Sequence, residues 1–388
     1  MLKHRAAVPE NPLRVAIVTA SLGLAGAEKQ AFYIAKSLAE AGIAVRVYNL
    51  SRGGEYEEAL REMHVESRCF GWAPSFPLRL ALLVSSLRSF RPNIIQSVHA
   101  YTNAYSALAG RILGAVSVGG LRSDLTSCLA ENGRFARRLL TLPDGIAVNS
   151  KSAVEELRNA GLVDLKRVHF LPNAIDLETY PVSTARGCKA IFVSRLLPSK
   201  RPDMFVRALA QARMKAPELT GVVVGYGREE ERVRKLAEEL GLLPSAVTFL
   251  GFRDDIASLL QQASMFVFCS ESEGTPNVVL EAMAASLPVI TTPAGDAAEI
   301  VEQAEAGFVV KFGDVEAAAE AMVQLARSPE LRRKLGSAGR TFVARTRASS
   351  ELAGRLLTIY RDVARRSTRG SRGDFARRIS ERLERSEG

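Results

Sequence analysis

Cysteine and histidine are scarce, and neither is clustered. Cys69, Cys128, Cys188 and Cys269 lie scattered over 388 residues without paired spacing, and the four histidines are equally dispersed. A disulfide scaffold and a Cys/His metal site are thereby excluded, and reduced thiols of a cytoplasmic protein are the expectation. No apolar run approaches the roughly 18 residues of a membrane span. The opening M-L-K-H-R-A-A-V-P-E lacks the apolar stretch of a signal peptide. Aromatics make up only 6%, with one Trp. Without a zinc finger or an RNA-binding aromatic signature, this argues against reading of nucleic acid. Asp-x-Asp is absent, Asp254 and Asp255 being adjacent, so no metal clamp is expected and no metal ligands are assigned.

What is present describes a globular chain. Hydrophobic residues make up 47% and charged residues 24%, and the length suggests two domains rather than one core. The net charge is +10, but it is unevenly spread. Residues 1–176 hold 21 Lys and Arg against 15 Asp and Glu, residues 177–360 balance, and residues 361–388 hold 9 against 5. A basic first half and tail suit solubility alone, or a membrane surface carrying an anionic lipid acceptor. Residues 367–388 read as a basic tail without stable structure.

Strand and helix patterns alternate almost throughout, which predicts parallel sheets. In the first half the predicted strands are 14–20, 43–50, 93–98, 116–121, 145–148 and 168–171. Helices are predicted at 27–41, 78–90, 102–113, 134–142 (basic and amphipathic) and 150–159. Pro172-Asn173-Ala174-Ile175-Asp176 opens an irregular stretch, and the domain boundary is placed there: an N-terminal domain over 1–176 and a C-terminal domain over 177–348. The second series has strands at 190–194, 221–224, 247–250, 265–269, 288–291 and 307–310, with helices at 202–214, 229–240 and 254–262. Three helical segments close the chain near Ala364, the last (about 349–366) being expected to pack back on the first domain.

The most specific stretch is S-E-G-T-P-N-V-V-L-E-A-M-A, Ser272 to Ala284. Pro276 suits a helix entrance, where its missing N–H costs nothing. Backbone N–H groups at such an entrance, with Gly274 allowing close approach, form an anion site. Glu281, about a turn inside among apolar neighbours, needs a partner, because burying a lone carboxylate is expensive. Donors for phosphate and acceptors for sugar hydroxyls therefore sit side by side. An ordinary strand–loop–helix junction would also fit.

Ligands of parallel sheets bind beyond the carboxyl ends of the strands, and the other candidates fall there. Gly23, Gly26 and Glu28 follow the first strand, His99 the third and Asn149 the fifth. Arg195 follows 190–194 with Lys200 five residues on, and Gly225 follows 221–224. Arg and Lys suit phosphate oxygens, although exposed surface cations would read the same. Gly225-Tyr226-Gly227 fits either a simple turn or close backbone approach to a ligand. His99 fits a core position or a site. Asn173 fits a turn held by its side chain.

These residues together resemble the retaining glycosyltransferases of family 4, with their Glu-x7-Glu motif and GT-B fold. The resemblance runs from residue 14 to about 364. It implies two Rossmann-like α/β domains whose parallel sheets face across a cleft. It also implies that Arg195 and Lys200 hold a donor diphosphate, that Glu273 lies near the donor sugar, and that Glu281 takes the ribose hydroxyls. Gly26, Gly225, Gly274, Thr275, Pro276, Asn277 and Val278 complete the nucleotide-sugar site. His99 corresponds to the histidine near the reacting centre, so the catalytic set is His99, Glu273, Arg195 and Lys200. Glu28, Arg122, Asp124 and Asn173 fall on the acceptor side. The chain departs from the family in L-A-G-A-E (Leu24–Glu28), which lacks paired glycines. It also has Ala174 where the linker motif has glycine, and L-R-S-D (Leu121–Asp124) where histidine is commoner.

The implied reaction moves a sugar from a nucleoside-diphosphate sugar, UDP favoured, to a glycan or lipid-linked acceptor, with retention and without metal or cofactor. It would serve cell-envelope polysaccharide or glycoconjugate synthesis, at the cytoplasmic face, with peripheral contact to anionic membrane. The competing expectations are a sugar-nucleotide epimerase, a glycogen-type phosphorylase, and a non-catalytic homologue that binds sugar nucleotide or membrane. The phosphorylase is much longer and needs a pyridoxal-phosphate lysine that cannot be placed here.

Overall fold

A computed structural model describes residues 13–51 and 53–367. The predicted basic tail thus lies outside the described residues, apart from Ser367. The chain divides into two compact units. The first comprises the residues up to Ala174 and those from Ser349 on, and the second runs from Ile175 to Ala348.

Among the described residues the first unit has seven strands: β1 (Arg14–Thr19), β2 (Ala44–Asn49), β3 (Glu66–Cys69), β4 (Ile94–Ser97), β5 (Val116–Leu121), β6 (Gly145–Val148) and β7 (Val168–Phe170). Their spatial order is β3-β2-β1-β4-β5-β6-β7, with every pairing parallel. β4, β5 and β6 are buried along their whole length, which is why β5 and β6 appear in the sequence as unbroken small and apolar runs. Helix Gly26–Glu40 buries Ala31, Ile34 and Leu38, a spacing that places them on one helical face.

The last helix, Leu352–Arg366, belongs to this unit. Leu356, Tyr360 and Val363 enter its core, and the Tyr360 hydroxyl donates to Gln96 Oε1 at the sheet centre. Each large apolar side chain buried this way contributes about 1.5–3 kcal/mol, enough to hold a segment far removed in sequence.

The second unit has six strands among the described residues: β8 (Lys189–Val193), β9 (Thr220–Val224), β10 (Val247–Gly251), β11 (Met265–Phe268), β12 (Val289–Thr291) and β13 (Gly307–Val309). Their order is β10-β9-β8-β11-β12-β13, again all parallel. Helix Pro202–Arg213 starts with proline in its first turn and packs Phe205, Leu209 and Ala212 into the core. The two places where the chain crosses between units are tied together within the second: Ile175 N donates to Arg347 O at 2.8 Å.

Several elements differ from the sequence reading. β3 and helix Tyr56–Glu62 were not anticipated. β3 is an edge strand of Glu-Ser-Arg-Cys with alternate residues exposed, and the helix buries only Leu60. Helix Leu125–Asn132 was also not anticipated. The basic helix expected over 134–142 is a 3-10 turn, Gly133–Phe135, followed by the short helix Ala136–Thr141. No helix among the described residues is long and apolar enough to cross a membrane.

Candidate functional site

In the second unit the sheet order reverses between β8 and β11, neighbours that are not consecutive in the chain. Such a switch point opens a crevice at the strand ends. Lys200 reaches it from the turn Pro198–Lys200 after β8, and Glu273 from the loop after β11. The Lys200 ammonium donates to Glu273 Oε1. Ser270 Oγ lies 3.4 Å from both groups. The Lys200 and Glu273 side chains remain 13% and 25% exposed, so a ligand can still reach them. The loops are laced from beneath. Thr292 Oγ1, after β12, donates to Ser270 O at 2.6 Å, and Glu271 N donates to Ser199 O at 2.8 Å.

Next to this pair, Pro276 caps helix Asn277–Ala284 without a side-chain hydrogen bond to the first turn. Gly274, Thr275 and Pro276 are buried, while Asn277 and Val278 are partly open. Asp296 braces the turn: its N–H donates to Gly274 O at 3.0 Å, and its Oδ2 accepts from Thr275 Oγ1 at 3.2 Å. Gly295 makes that approach feasible. Its φ is +55°, and a Cβ there would stand 1.8 Å from Gly274 O. Glu281 is buried inside the helix between Leu280 and Ala282. Gly225, with φ +127°, passes so close to β8 that a Cβ would meet Ser194 O at 1.9 Å.

The two cations expected at a diphosphate behave differently. Lys200 is committed to Glu273, whereas Arg195 is exposed and makes no ion pair among the described residues. Arg201, which was not anticipated, sits in the left-handed region at φ 51° and braces the Lys200 turn. Its guanidinium bonds Asp203 at 3.1 and 3.2 Å and Glu271 at 2.9 Å. Burial pushes the Asp203 carboxyl up, but Arg201 more than offsets this and holds it below the usual range.

The first unit has its own switch point, between β1 and β4. His99 follows β4. Its Nδ1 accepts from Ala20 N at 3.4 Å, and its Nε2 faces Glu28 Oε1 at 3.5 Å. Ser21 Oγ donates to the same carboxylate oxygen at 3.0 Å. Burial pushes the Glu28 carboxyl up, but the His99 hydrogen bond and charge outweigh it and leave the carboxyl below its ordinary value. Gly26, exposed, opens helix Gly26–Glu40, whose cap Ala25 supplies no side-chain hydrogen bond.

Farther along the same sheet edge, Arg122, Asn149 and Asn173 follow β5, β6 and β7. Asn173 Oδ1 accepts from Arg122 Nη1 at 2.8 Å and from Asn149 Nδ2 at 3.3 Å. Gln30 fixes the adjacent Ala174 by bonding both its N–H and its carbonyl. Asp124 faces elsewhere: it caps helix Leu125–Asn132 by accepting from Ser127 N and Ser127 Oγ, both at 2.7 Å. Sequence reasoning also missed Ser21, Ser270, Gly295 and Asp296. The last two were within reach, because Gly295-Asp296 comes a few residues after the apolar strand β12, as the other candidates follow theirs. Among the described residues no His, Cys, Asp and Glu side chains gather in a group able to hold a metal ion.

Residues 24–179 match the family described as Glycosyltransferase Family 4, and residues 186–342 match Glycosyl transferases group 1. The chain is 34% identical over 322 residues to the GDP-mannose-dependent monoacylated alpha-(1-6)-phosphatidylinositol monomannoside mannosyltransferase of Corynebacterium glutamicum, covering 78% of this chain and 77% of that one. It is 39% identical over 150 residues to EpsD of Bacillus subtilis, a match spanning 39% of either protein. The crystal structure of Anabaena Alr3699/HepE in complex with UDP and glucose superimposes with a TM-score of 0.77 at 22% identity, over 89% of this chain and 98% of that one. The chain belongs to glycosyltransferase family 4 and has the GT-B fold.

Proposed function

We propose that the protein is a retaining hexosyltransferase that moves a sugar from a nucleoside-diphosphate sugar to a glycan or lipid-linked acceptor in envelope polysaccharide or glycolipid synthesis. The observation that carries this reading is the Lys200–Glu273 contact at the β8/β11 switch, beside the entrance of helix Asn277–Ala284. Breaking a sugar–diphosphate bond builds negative charge on the leaving group, and preorganised positive groups are the chief means of stabilising it. Lys200 supplies a charge, the helix entrance supplies N–H groups, and Glu273 and Ser270 hold the Lys200 ammonium in place. Arg195, exposed and uncommitted among the described residues, is the second cation for the diphosphate. In this reading no metal ion is needed. Glu281 takes the ribose hydroxyls and Gly225 lets the backbone approach the ligand.

Retention is assigned to front-face attack, with the acceptor proton passing to the leaving phosphate. The first unit takes the acceptor, with His99 and Glu28 at its switch point. A UDP-sugar is favoured as donor. The HepE structure holds UDP, while the Corynebacterium relative is named for GDP-mannose, so the nucleotide is chosen by measurement. Peripheral membrane contact is assigned to the basic surface of residues 133–141, where Arg134, Phe135, Arg137 and Arg138 are exposed, and to the tail.

The test is a thermal-shift titration against UDP, GDP, ADP and CMP with chelator present, since a ligand that binds only the folded state raises its stability. The expected result is a selective shift by one nucleoside diphosphate that is lost in Lys200→Ala. No shift with any of them, in folded protein, overturns the donor site. Product anomer configuration, read by NMR with the matching donor, tests retention.

A further inference from the structure

The first unit holds a cation without a counter-charge among the described residues. Among the described residues the Arg122 side chain donates from Nη1 to Asn173 Oδ1 at 2.8 Å, and its Nε is buried with no hydrogen-bond partner. No carboxylate pairs with it among the described residues: Asp124, two residues on, caps the following helix through both its oxygens. Burial lowers the Arg122 pKa to about 10, so it remains a cation at neutral pH. Its partner is an asparagine where a structural arginine would meet Asp or Glu. Arg122 is only partly exposed, and enclosing part of a charge without a partner is unfavourable, so packing alone does not account for this arrangement.

We propose that Arg122 is a specificity-determining residue that receives an anionic group of the substrate, a carboxylate or a phosphate, at the ends of β5 and β7. The inference rests on the reading of the first unit as the acceptor side. Asn173 engages only Nη1 and so orients the guanidinium. Nη2 makes no hydrogen bond among the described residues and, unlike Nε, is not enclosed. A guanidinium N–H held in this way suits an oxygen of a carboxylate or phosphate. The neighbouring Asn149 and Asn173 are neutral, so the site carries net positive charge without repelling an anion.

The experiment compares the full chain with Arg122→Gln and Arg122→Met, using methyl β-D-glucuronide, methyl phosphate and the neutral methyl β-D-glucoside, with UDP in parallel. One anionic probe is expected to raise the melting temperature of the parent above the effect of the glucoside. Which probe does so separates a sugar carboxylate from a phosphate ester. Arg122→Gln should bind that probe about tenfold more weakly or worse, and both variants without ligand should melt at or above the parent temperature. Equal anion binding by parent and Arg122→Gln overturns the proposal. So does an anion effect no larger than that of the glucoside, or a clear loss of stability in both variants, which would make Arg122 structural. The UDP shift keeps the two readings apart: UDP binding retained without an anion response sinks this inference alone, while loss of the UDP response in the parent sinks the donor reading.

Discussion

The two units meet the same topological situation with different chemistry. In each, the sheet order reverses beside the unit's first strand, at β1/β4 and at β8/β11. In each, the segments that follow those two strands bring an acid and a base together. The second unit uses an ammonium, Lys200 on Glu273, and the first uses an imidazole, His99 facing Glu28 at 3.5 Å. An ammonium only donates, whereas an imidazole has one nitrogen to accept and one to donate. In His99 these are Nδ1 toward Ala20 and Nε2 toward Glu28. In the proposed reaction a fixed charge would suit the departing diphosphate, and a two-faced ring would suit positioning an acceptor hydroxyl whose proton passes to the leaving phosphate. In the proposed reading the strand-end geometry is generic, and the residue at each switch point divides the labour.

Removing the ammonium is the severest way to break this comparison. Lys200→Ala is expected to lower kcat about 10²–10³-fold, the usual cost of deleting one preorganised electrostatic donor. It should also weaken nucleotide binding, and Lys200→Arg should recover only part of either loss. Product formation from the donor chosen by the thermal-shift screen, together with nucleotide affinity, gives both readouts. His99→Ala comes next, with kcat lower by about 10²-fold through lost positioning and nucleotide affinity unchanged. If His99→Ala weakens the nucleotide as much as Lys200→Ala does, the division of labour is wrong. Gly295→Ala probes the support rather than the charges. Its Cβ would enter the space of Gly274 O, 1.8 Å away, so a destabilisation of about 1–3 kcal/mol is expected from overpacking. Calorimetry should show a lower transition temperature, with loss of nucleotide binding before loss of fold. An unchanged transition and unchanged affinity would mean that the Gly274 turn tolerates displacement.

The fold was legible where burial forces a pattern. β5 and β6 are covered on both faces and read as continuous apolar and small-residue runs with the observed ends. β3 escaped because an edge strand of Glu-Ser-Arg-Cys buries too little to leave a signal. The positions of Lys200, Glu273, His99 and Glu28 at strand ends were also readable, since each follows an apolar run. Their pairing was not. Lys200 and Glu273 are 73 residues apart, and only the β8–β11 adjacency makes them neighbours. Strand order in a parallel sheet is set by crossovers that no local pattern records. The same holds for Arg122 and Asn173, joined through the β5-β6-β7 order across 51 residues.

The smallest expected effect concerns Glu28, and its sign follows from linkage. In the folded chain the Glu28 carboxyl lies below its ordinary value of 4.5: burial opposes ionisation, but the hydrogen bond and charge of His99 outweigh it. The folded state therefore releases this proton more readily than the unfolded chain. The resulting stability is fully present above about pH 4.5 and is lost as pH falls through the lower folded value. Glu28→Gln removes the charge but keeps an acceptor for Ser21 Oγ, so the loss above that pH should be about 1 kcal/mol. Urea unfolding of both proteins, from neutral pH downward, measures the gap. It should be constant near neutrality and close below the carboxylate range. A gap that persists unchanged in acid would show that Glu28 contributes by packing, and that the His99 pair in the first unit lacks the electrostatic character that Lys200 and Glu273 have in the second.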